Sequence, residues 1–218
     1  MRIIGGRLKG KTILPPQGYK ARPTTDFAKE GLFNILNNEY ELEGLQVLDL
    51  FGGTGAISYE FASRGASMVY CVEMLPLHAN FIKSQAASFG MKNLTVVRHN
   101  VFEFLDICRE KFDIIFADPP YALEDLATLP DKVFARDILH PGAYFILEHP
   151  EEYNSEAHPR FLKERKYGNV HFTFFEMPSE LGASRHRSDM GPSAIRLAAL
   201  KEKIVELRHN IIGFSCPM

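Results

Sequence analysis

Residues 112 to 121 read FDIIFADPPY. An apolar run, Phe112 to Ala117, hands over to one carboxylate, Asp118, then to Pro119, Pro120 and Tyr121. Proline cannot donate to a strand ladder and fixes its own φ, so the strand must stop there and present a stiff turn. Such a turn suits one chemical task. An exocyclic amine on a nucleobase is a poor nucleophile because its lone pair is delocalised into the ring. A carboxylate and a proline carbonyl that accept its two N–H bonds hold the nitrogen pyramidal, with the lone pair free for attack. Tyr121 adds a ring able to stack on a base, an interaction worth about 1–3 kcal/mol on other base platforms.

A second constellation lies upstream. Asp49-Leu-Phe-Gly-Gly-Thr-Gly55 follows a short apolar run, and Glu73 stands roughly twenty residues further on, at the end of another. Glycines there let the backbone approach a ligand, and a carboxylate at Glu73 can accept both hydroxyls of a ribose. The glycines depart from the GxGxxG dinucleotide pattern, Asp49 directly precedes the loop, and no lysine or arginine occurs from there to Arg64. An acid suits a ligand with an amino group and a sulfonium centre better than one with phosphates, which points to S-adenosyl-L-methionine. That donor is already activated, so the task left to the protein is positioning for in-line transfer, with no metal required.

These residues need a scaffold that brings strand ends together. Thr24 or Thr25 caps an expected helix from about Asp26 to Asn37, with Phe27, Leu32, Phe33, Ile35 and Leu36 as its apolar face. Strands are expected at 46–51, 68–73, 94–98, 112–117 and 143–148, with helices at 56–63, 76–89 and 101–110, a mostly helical stretch at 122–140, and a hairpin over 166–176 turning at Gly168-Asn169. Alternation with crossovers long enough for helices implies a parallel sheet covered on both faces, with an antiparallel hairpin at its edge. In such sheets ligands bind beyond the carboxyl ends of the strands, where Asp49, Glu73, His99-Asn100 and Asp118 all fall.

The chain of 218 residues is 45% hydrophobic and 24% charged, as expected of a soluble globular protein. No stretch has the length of a membrane span and the N-terminus lacks a secretory core, so a cytoplasmic location is expected. Three scattered cysteines and eight histidines show no metal-ligand spacing. The net charge of −2 is unevenly distributed: Arg2, Arg7, Lys9, Lys11, Lys20 and Arg22 all precede the first acid, Asp26. That basic arm is a candidate nucleic-acid contact, with a solvated tail as the alternative.

Together Arg2-Ile-Ile-Gly-Gly, Arg22-Pro-Thr-Thr-Asp26, Glu30-Gly-Leu-Phe-Asn34, Asp49-Leu-Phe-Gly-Gly-Thr-Gly-Ala56, Ser63-Arg-Gly-Ala66 and Asp118-Pro-Pro-Tyr121 resemble the RsmD family of small-subunit (16S) ribosomal RNA guanine-N2 methyltransferases. The similarity runs in order through roughly residues 1 to 177. It implies an α/β, Rossmann-like class I S-adenosylmethionine-dependent methyltransferase with a seven-stranded, mostly parallel sheet and a C-terminal antiparallel hairpin. The implied substrate is one guanine N2, in an assembled or partly assembled 30S particle rather than in naked RNA. Carried over by position, Asp49, Gly52, Gly55 and Glu73, with the flanking Phe51, Gly53 and Met74, form the cofactor site. Asn100, followed by Val101, stands where relatives touch the adenine, through its side-chain carbonyl. Asp118 to Tyr121 fall on the catalytic motif, and Arg22, Pro23 and Thr24 on a segment that closes over the site and meets RNA. Beside that pocket, Arg2, Arg7, Lys9 and Lys11 become candidate RNA contacts.

The expected organisation is a methyltransferase domain over 1–178, with its basic arm in 1–25, and a linker and amphipathic helical tail over 179–218. The tail's stripe is Leu197, Leu200, Ile204, Leu207 and Ile211; a monomer is expected. The Asp-Pro-Pro-Tyr motif also occurs in adenine-N6 DNA methyltransferases, and its Asn-Pro-Pro-Tyr cousin in protein-glutamine N5 methyltransferases. Asp at 118 counts against the glutamine acceptor, and the missing target-recognition domain against DNA. A non-catalytic ribosome-assembly factor would be expected to have damaged one of the two motifs.

Overall fold

The computed structural model describes residues 1–15, 24–120, 123 and 125–179. A seven-stranded sheet is formed by β1 (Gln46–Leu50), β2 (Met68–Val72), β3 (Leu94–Val97), β4 (Phe112–Ala117), β5 (Leu139–His149), β6 (Phe161–Tyr167) and β7 (Val170–Glu176). Their spatial order is β3-β2-β1-β4-β5-β7-β6. The first five are parallel, and β7 and β6 close the far edge antiparallel. Chain order reverses between β1 and β4, so a crevice opens beyond their carboxyl ends.

Helices α1 (Asp26–Glu39), α2 (Ala56–Ser63), α3 (Pro76–Ser88), α4 (Val101–Ile107) and α5 (Leu129–Phe134) cover the sheet. Two apolar clusters sit on its opposite faces, one under α1 to α3 and the other under α4 and α5. Alternation divides each strand between them: Val47 and Phe116 belong to the first cluster, Leu48 and Ile115 to the second. The expected helical stretch over 122–140 is a correction. Among the described residues there, only a 3-10 turn at Leu126–Thr128 and the short helix α5 form, and β5 already begins at Leu139. A central strand longer than its apolar run explains the difference, because its pairing starts at Phe112 opposite Leu139.

Thr25 caps α1, its hydroxyl accepting from Ala28 N at 3.2 Å. The face of this helix also differs from expectation: Phe27 is 65% exposed, with its edge against the Tyr167 ring, while Lys29 is buried. The cause is a buried ion pair. Lys29 Nζ lies 3.2 Å from Glu60 Oε1 in α2 and donates to the Arg2 carbonyl at 2.5 Å, and the side chains of Lys29 and Glu60 are 1% and 0% exposed. Glu60 Oε1 also accepts the Ile4 N–H at 2.7 Å. One carboxylate thus ties α1, α2 and the N-terminal segment together.

That segment is a narrow antiparallel loop docked along α2. Ile3 N donates to the Lys11 carbonyl and Ile13 N to that of Met1, both at 2.9 Å, and Ile3 and Ile13 are buried. Close approach requires Gly6, and at Gly5 a side chain would displace the Arg64 guanidinium. A Cβ on Gly5 would lie 2.3 Å from the Arg64 guanidinium, and one on Gly6, where φ is +70°, 1.9 Å from the Ser63 carbonyl oxygen. Ser63 completes the seam, donating to the Gly5 carbonyl at 2.6 Å and accepting from Leu8 N at 3.0 Å.

Removing one partner of a buried pair leaves the other charge uncompensated. Glu60→Ala is therefore expected to cost about 3–5 kcal/mol, read from the shift in urea midpoint. Native stability in that variant would show that the pair does not hold the arm.

Candidate functional site

Strand β1 delivers Asp49 and then turns sharply. Phe51 has φ +63°, a left-handed conformation unusual for a side chain of this size, and Gly53 and Gly55 follow at +53° and +78°. Gly52 N donates to the Val72 carbonyl at 2.9 Å, and Gly55 N to that of Gly52 at 2.7 Å, which fixes the loop between β1 and β2. A Cβ at Gly52 would stand 2.3 Å from Cys71 Sγ, so this position is closed to any side chain. Gly55 is the N-cap that precedes α2, packed against the ring of Tyr59.

Glu73, buried at the end of β2, is locked from two sides. Its Oε2 accepts Gly53 N and its Oε1 accepts Leu75 N, both at 2.8 Å, with His78 Nδ1 3.8 Å from Oε2. The carboxylate thereby holds the glycine loop. Asn100 caps α4, its Oδ1 accepting from Phe102 N at 2.9 Å and Glu103 N at 3.4 Å. Its carbonyl is thus engaged by the helix, which corrects the expectation that this oxygen meets the adenine. The amide nitrogen faces Met74 Sδ at 3.9 Å. Met74 and Leu75 are exposed beside it and offer an apolar wall, and Val101 is buried behind.

Asp49 is buried, and its Oδ2 accepts both the Ser58 hydroxyl at 2.5 Å and Ser58 N at 3.1 Å. Burial away from water, only partly offset by those bonds, pushes its carboxyl up to about 7. Asp118 leaves β4 with its N–H 3.5 Å from the Leu50 carbonyl, so the motif begins beside the end of β1. Its carboxyl is raised well above the ordinary range by burial first, then by the negative charges of Glu148 and Asp49. Pro119 is buried behind it and Pro120 is exposed.

Glu148, at the end of β5, is a functional candidate that sequence reasoning missed. It is buried, raised to about 7 by that burial, and its Oε2 accepts the Thr24 hydroxyl at 3.1 Å. The signal available in the sequence was an acid closing an apolar strand, in the same pattern as Glu73. Thr24 is thereby tied to the end of β5, while Thr25 caps α1. Tyr121, Arg22 and Pro23, together with the tail stripe, lie outside the described residues.

The arm divides. Arg2 pairs with Asp26 at 3.2 Å and Glu30 at 3.9 Å, on the outside of α1. Arg7 donates to the Phe89 and Gly90 carbonyls at 3.4 and 3.1 Å, capping the end of α3. Because α3 starts beside Glu73 and runs back along the sheet, that end lies opposite the crevice. The expectation that the arm sits beside the Asp118 pocket is corrected for its tip, where the docking loop carries Arg7 to the far side. Lys9 and Lys11 are exposed. Met1, by contrast, reaches the glycine loop, with its sulfur 3.3 Å from the Thr54 hydroxyl.

A crevice at the β1/β4 switch point, a glycine loop with a locked carboxylate beside it and an acid-proline-proline turn define a class I, S-adenosylmethionine-dependent methyltransferase. A Thermus thermophilus 16S ribosomal RNA N2 G1207 methyltransferase, solved with S-adenosylmethionine and guanosine, shares this fold at 22% identity and TM-score 0.59, covering 72% of this chain and 44% of its own. The family can be given more narrowly. The model described as conserved hypothetical protein 95 matches residues 1–176, and the chain belongs to that family, the RsmD family. It is 28% identical over 179 residues to the ribosomal RNA small subunit methyltransferase D of Buchnera aphidicola subsp. Baizongia pistaciae, covering 80% of this chain and 91% of that one. A solved hypothetical protein of Thermus thermophilus superimposes with TM-score 0.72 at 31% identity, covering 81% of this chain and 99% of its own.

The donor set fits that cofactor: a carboxylate for hydroxyls, an apolar wall with an amide donor for a purine, and buried acids for a cation. Among the described residues no group of three or more His, Cys, Asp or Glu could hold a metal ion, and no helix is long and apolar enough to cross a membrane.

Asp49 also makes a stability prediction. Its folded value of about 7 lies above the ordinary 3.8. The folded state therefore holds the proton more tightly, and the contribution is complete below about pH 4 and lost as pH rises through about 7. Asp49→Asn should flatten the fall in unfolding free energy over that window, measured by urea titration at successive pH values. An unchanged slope would place the titration elsewhere.

Proposed function

We propose that this protein transfers a methyl group to the exocyclic N2 of one guanine in small-subunit ribosomal RNA, presented in an assembled or partly assembled 30S particle. The observation that carries the reading is the placement of Asp118-Pro119 against the end of β1, beside the Asp49 loop and Glu73. S-adenosylmethionine supplies the methyl group on a sulfonium. The chain supplies everything else. Glu73, Asn100 and Met74 orient the cofactor, and the carboxylates of buried Asp49 and half-buried Asp118 favour a positive charge beside them. Asp118 and the Pro119 carbonyl accept the two N–H bonds of the amine and direct its lone pair. In its ionised form Asp118 also stands beside the nitrogen as an acceptor for the proton that it sheds.

The name of the Buchnera relative supports the RNA substrate, as do Thr24, whose hydroxyl is bonded to Glu148 at the crevice, and exposed Lys9 and Lys11. Residues 1–178 act as one methyltransferase unit, with the segment through Thr25 as its RNA-facing arm, and the protein works as a monomer in the cytoplasm. Arg2 and Arg7 contribute by holding that arm in place.

The deciding experiment incubates the protein and labelled S-adenosylmethionine with small subunits lacking the modification, naked ribosomal RNA, DNA and a release factor, then identifies the methylated atom. Label on guanine N2, strongest with the particle, is expected; label on adenine N6 or a glutamine amide would replace this reading. Asp118→Ala is expected to lower transfer by about 100-fold or more while calorimetry shows cofactor affinity retained. Full activity in that variant would remove the carboxylate from the chemistry.

A further inference from the structure

We propose that Glu148 determines base specificity: its carboxylate, beside Asp118 at the end of β5, accepts the N1–H of the target guanine while Asp118 holds the N2 amine. The inference rests on the guanine reading above. Strands β4 and β5 run parallel with Ala117 opposite Leu147, so Asp118 and Glu148 follow side by side on one face of the sheet. Asp49 lies on that same face, opposite Phe116. The cofactor loop and Glu73 occupy the β1 and β2 flank of Asp118, which leaves the β5 flank for the acceptor. Glu148 is the residue that this flank presents.

Its surroundings point to a ligand. The side chain belongs to a residue only 4% exposed, and a buried carboxylate is costly unless hydrogen bonds replace its water. Thr24 bonds Oε2, and among the described residues no cation pairs with Glu148. A donor from the substrate would satisfy Oε1. Purine chemistry supplies the discrimination. The N2 amine of guanine is flanked by N1–H, a donor, whereas the N6 amine of adenine is flanked by N1, an acceptor. Neighbouring strands lie about 4.8 Å apart, a spacing that lets two adjacent carboxylates meet adjacent positions on one base edge. Guanine gains two carboxylate acceptors, and adenine meets lone pair against lone pair. Thr24 is the positioning residue, its hydroxyl fixing Oε2 of this acceptor.

The test uses small-subunit particles carrying either guanine or 2-aminopurine at the methylated position, since 2-aminopurine keeps the exocyclic amine but presents N1 as an acceptor. The unmodified enzyme is expected to prefer guanine by about 100-fold or more in kcat/KM, as sites built around a hydrogen bond reject analogues that lack it. In Glu148→Gln the amide can turn its NH2 to the analogue, so the preference should fall to about tenfold or less, with cofactor affinity and melting temperature unchanged. Thr24→Val should move the same ratio part of the way, and Thr24→Ser should restore it.

A preference in Glu148→Gln that stays within about threefold of the unmodified enzyme overturns the assignment, as does an unchanged ratio in Thr24→Val if Glu148→Gln fails to fold. Failure of the unmodified enzyme to methylate guanine N2 at all overturns the parent reading instead, so the two failures are distinguishable.

Discussion

Everything chemical in this protein depends on the parallel pairing of β1 with β4. The two strands are separated by more than sixty residues of chain, yet Leu50 lies opposite Ala117, and the Asp118 N–H reaches toward the Leu50 carbonyl. Their apolar side chains are buried on both faces, so a slip of one residue would turn Asp49 into the opposite cluster and exchange every packed side chain between the two cores. Register is therefore strongly specified, and with it the meeting of the cofactor loop and the acid-proline-proline turn. The next pairing, β4 with β5, adds Glu148 by the same logic.

Charge is handled in two different ways in this fold. Around α1 and α2 the Lys29–Glu60 pair is buried but answered, with Arg64, Asp26, the Arg2 carbonyl and the Ile4 N–H sharing the load. In the crevice Asp49 and Glu148 are buried and Asp118 half-buried, with like charges for company, and their proton affinities rise. The first arrangement suits a joint that must not move. The second stores negative potential where a cationic cofactor and a hydrogen-bond donor are to arrive, which is the pattern expected of working residues.

The N-terminal segment joins these two regimes. Its loop is tied to the far end of α2 and α3 by Gly5, Gly6, Ser63 and Arg7, while Met1 touches the glycine loop and Thr24 touches Glu148. A basic run that composition alone marks as a nucleic-acid arm is thus partly a structural strap. Two of its arginines are engaged by carboxylates and helix carbonyls, and what reaches the crevice is its two ends.

From the sequence, the positions of β1 to β4 and of α2 and α3 could be read almost to the residue, because apolar runs bounded by Gly, Pro and acids carry their own punctuation. The chemistry of Asp49, Glu73 and Asp118 was legible for the same reason: each closes a strand, and strand ends in a parallel sheet share one edge. Local pattern did not reveal partners. That Lys29 is buried and Phe27 exposed follows from Glu60 on another helix. That the oxygen of Asn100 caps α4 follows from a helix start, and that Arg7 faces away from the crevice follows from the docking of a loop. Glu148 gained its meaning only when β5 was laid beside β4 and Thr24 was brought back across the chain. Sequence by itself determined which side chains were chemically able, since that is a property of residue type and local termination. Tertiary structure decided which of them meet, because burial, ion pairing and hydrogen bonding are set between segments far apart in the chain.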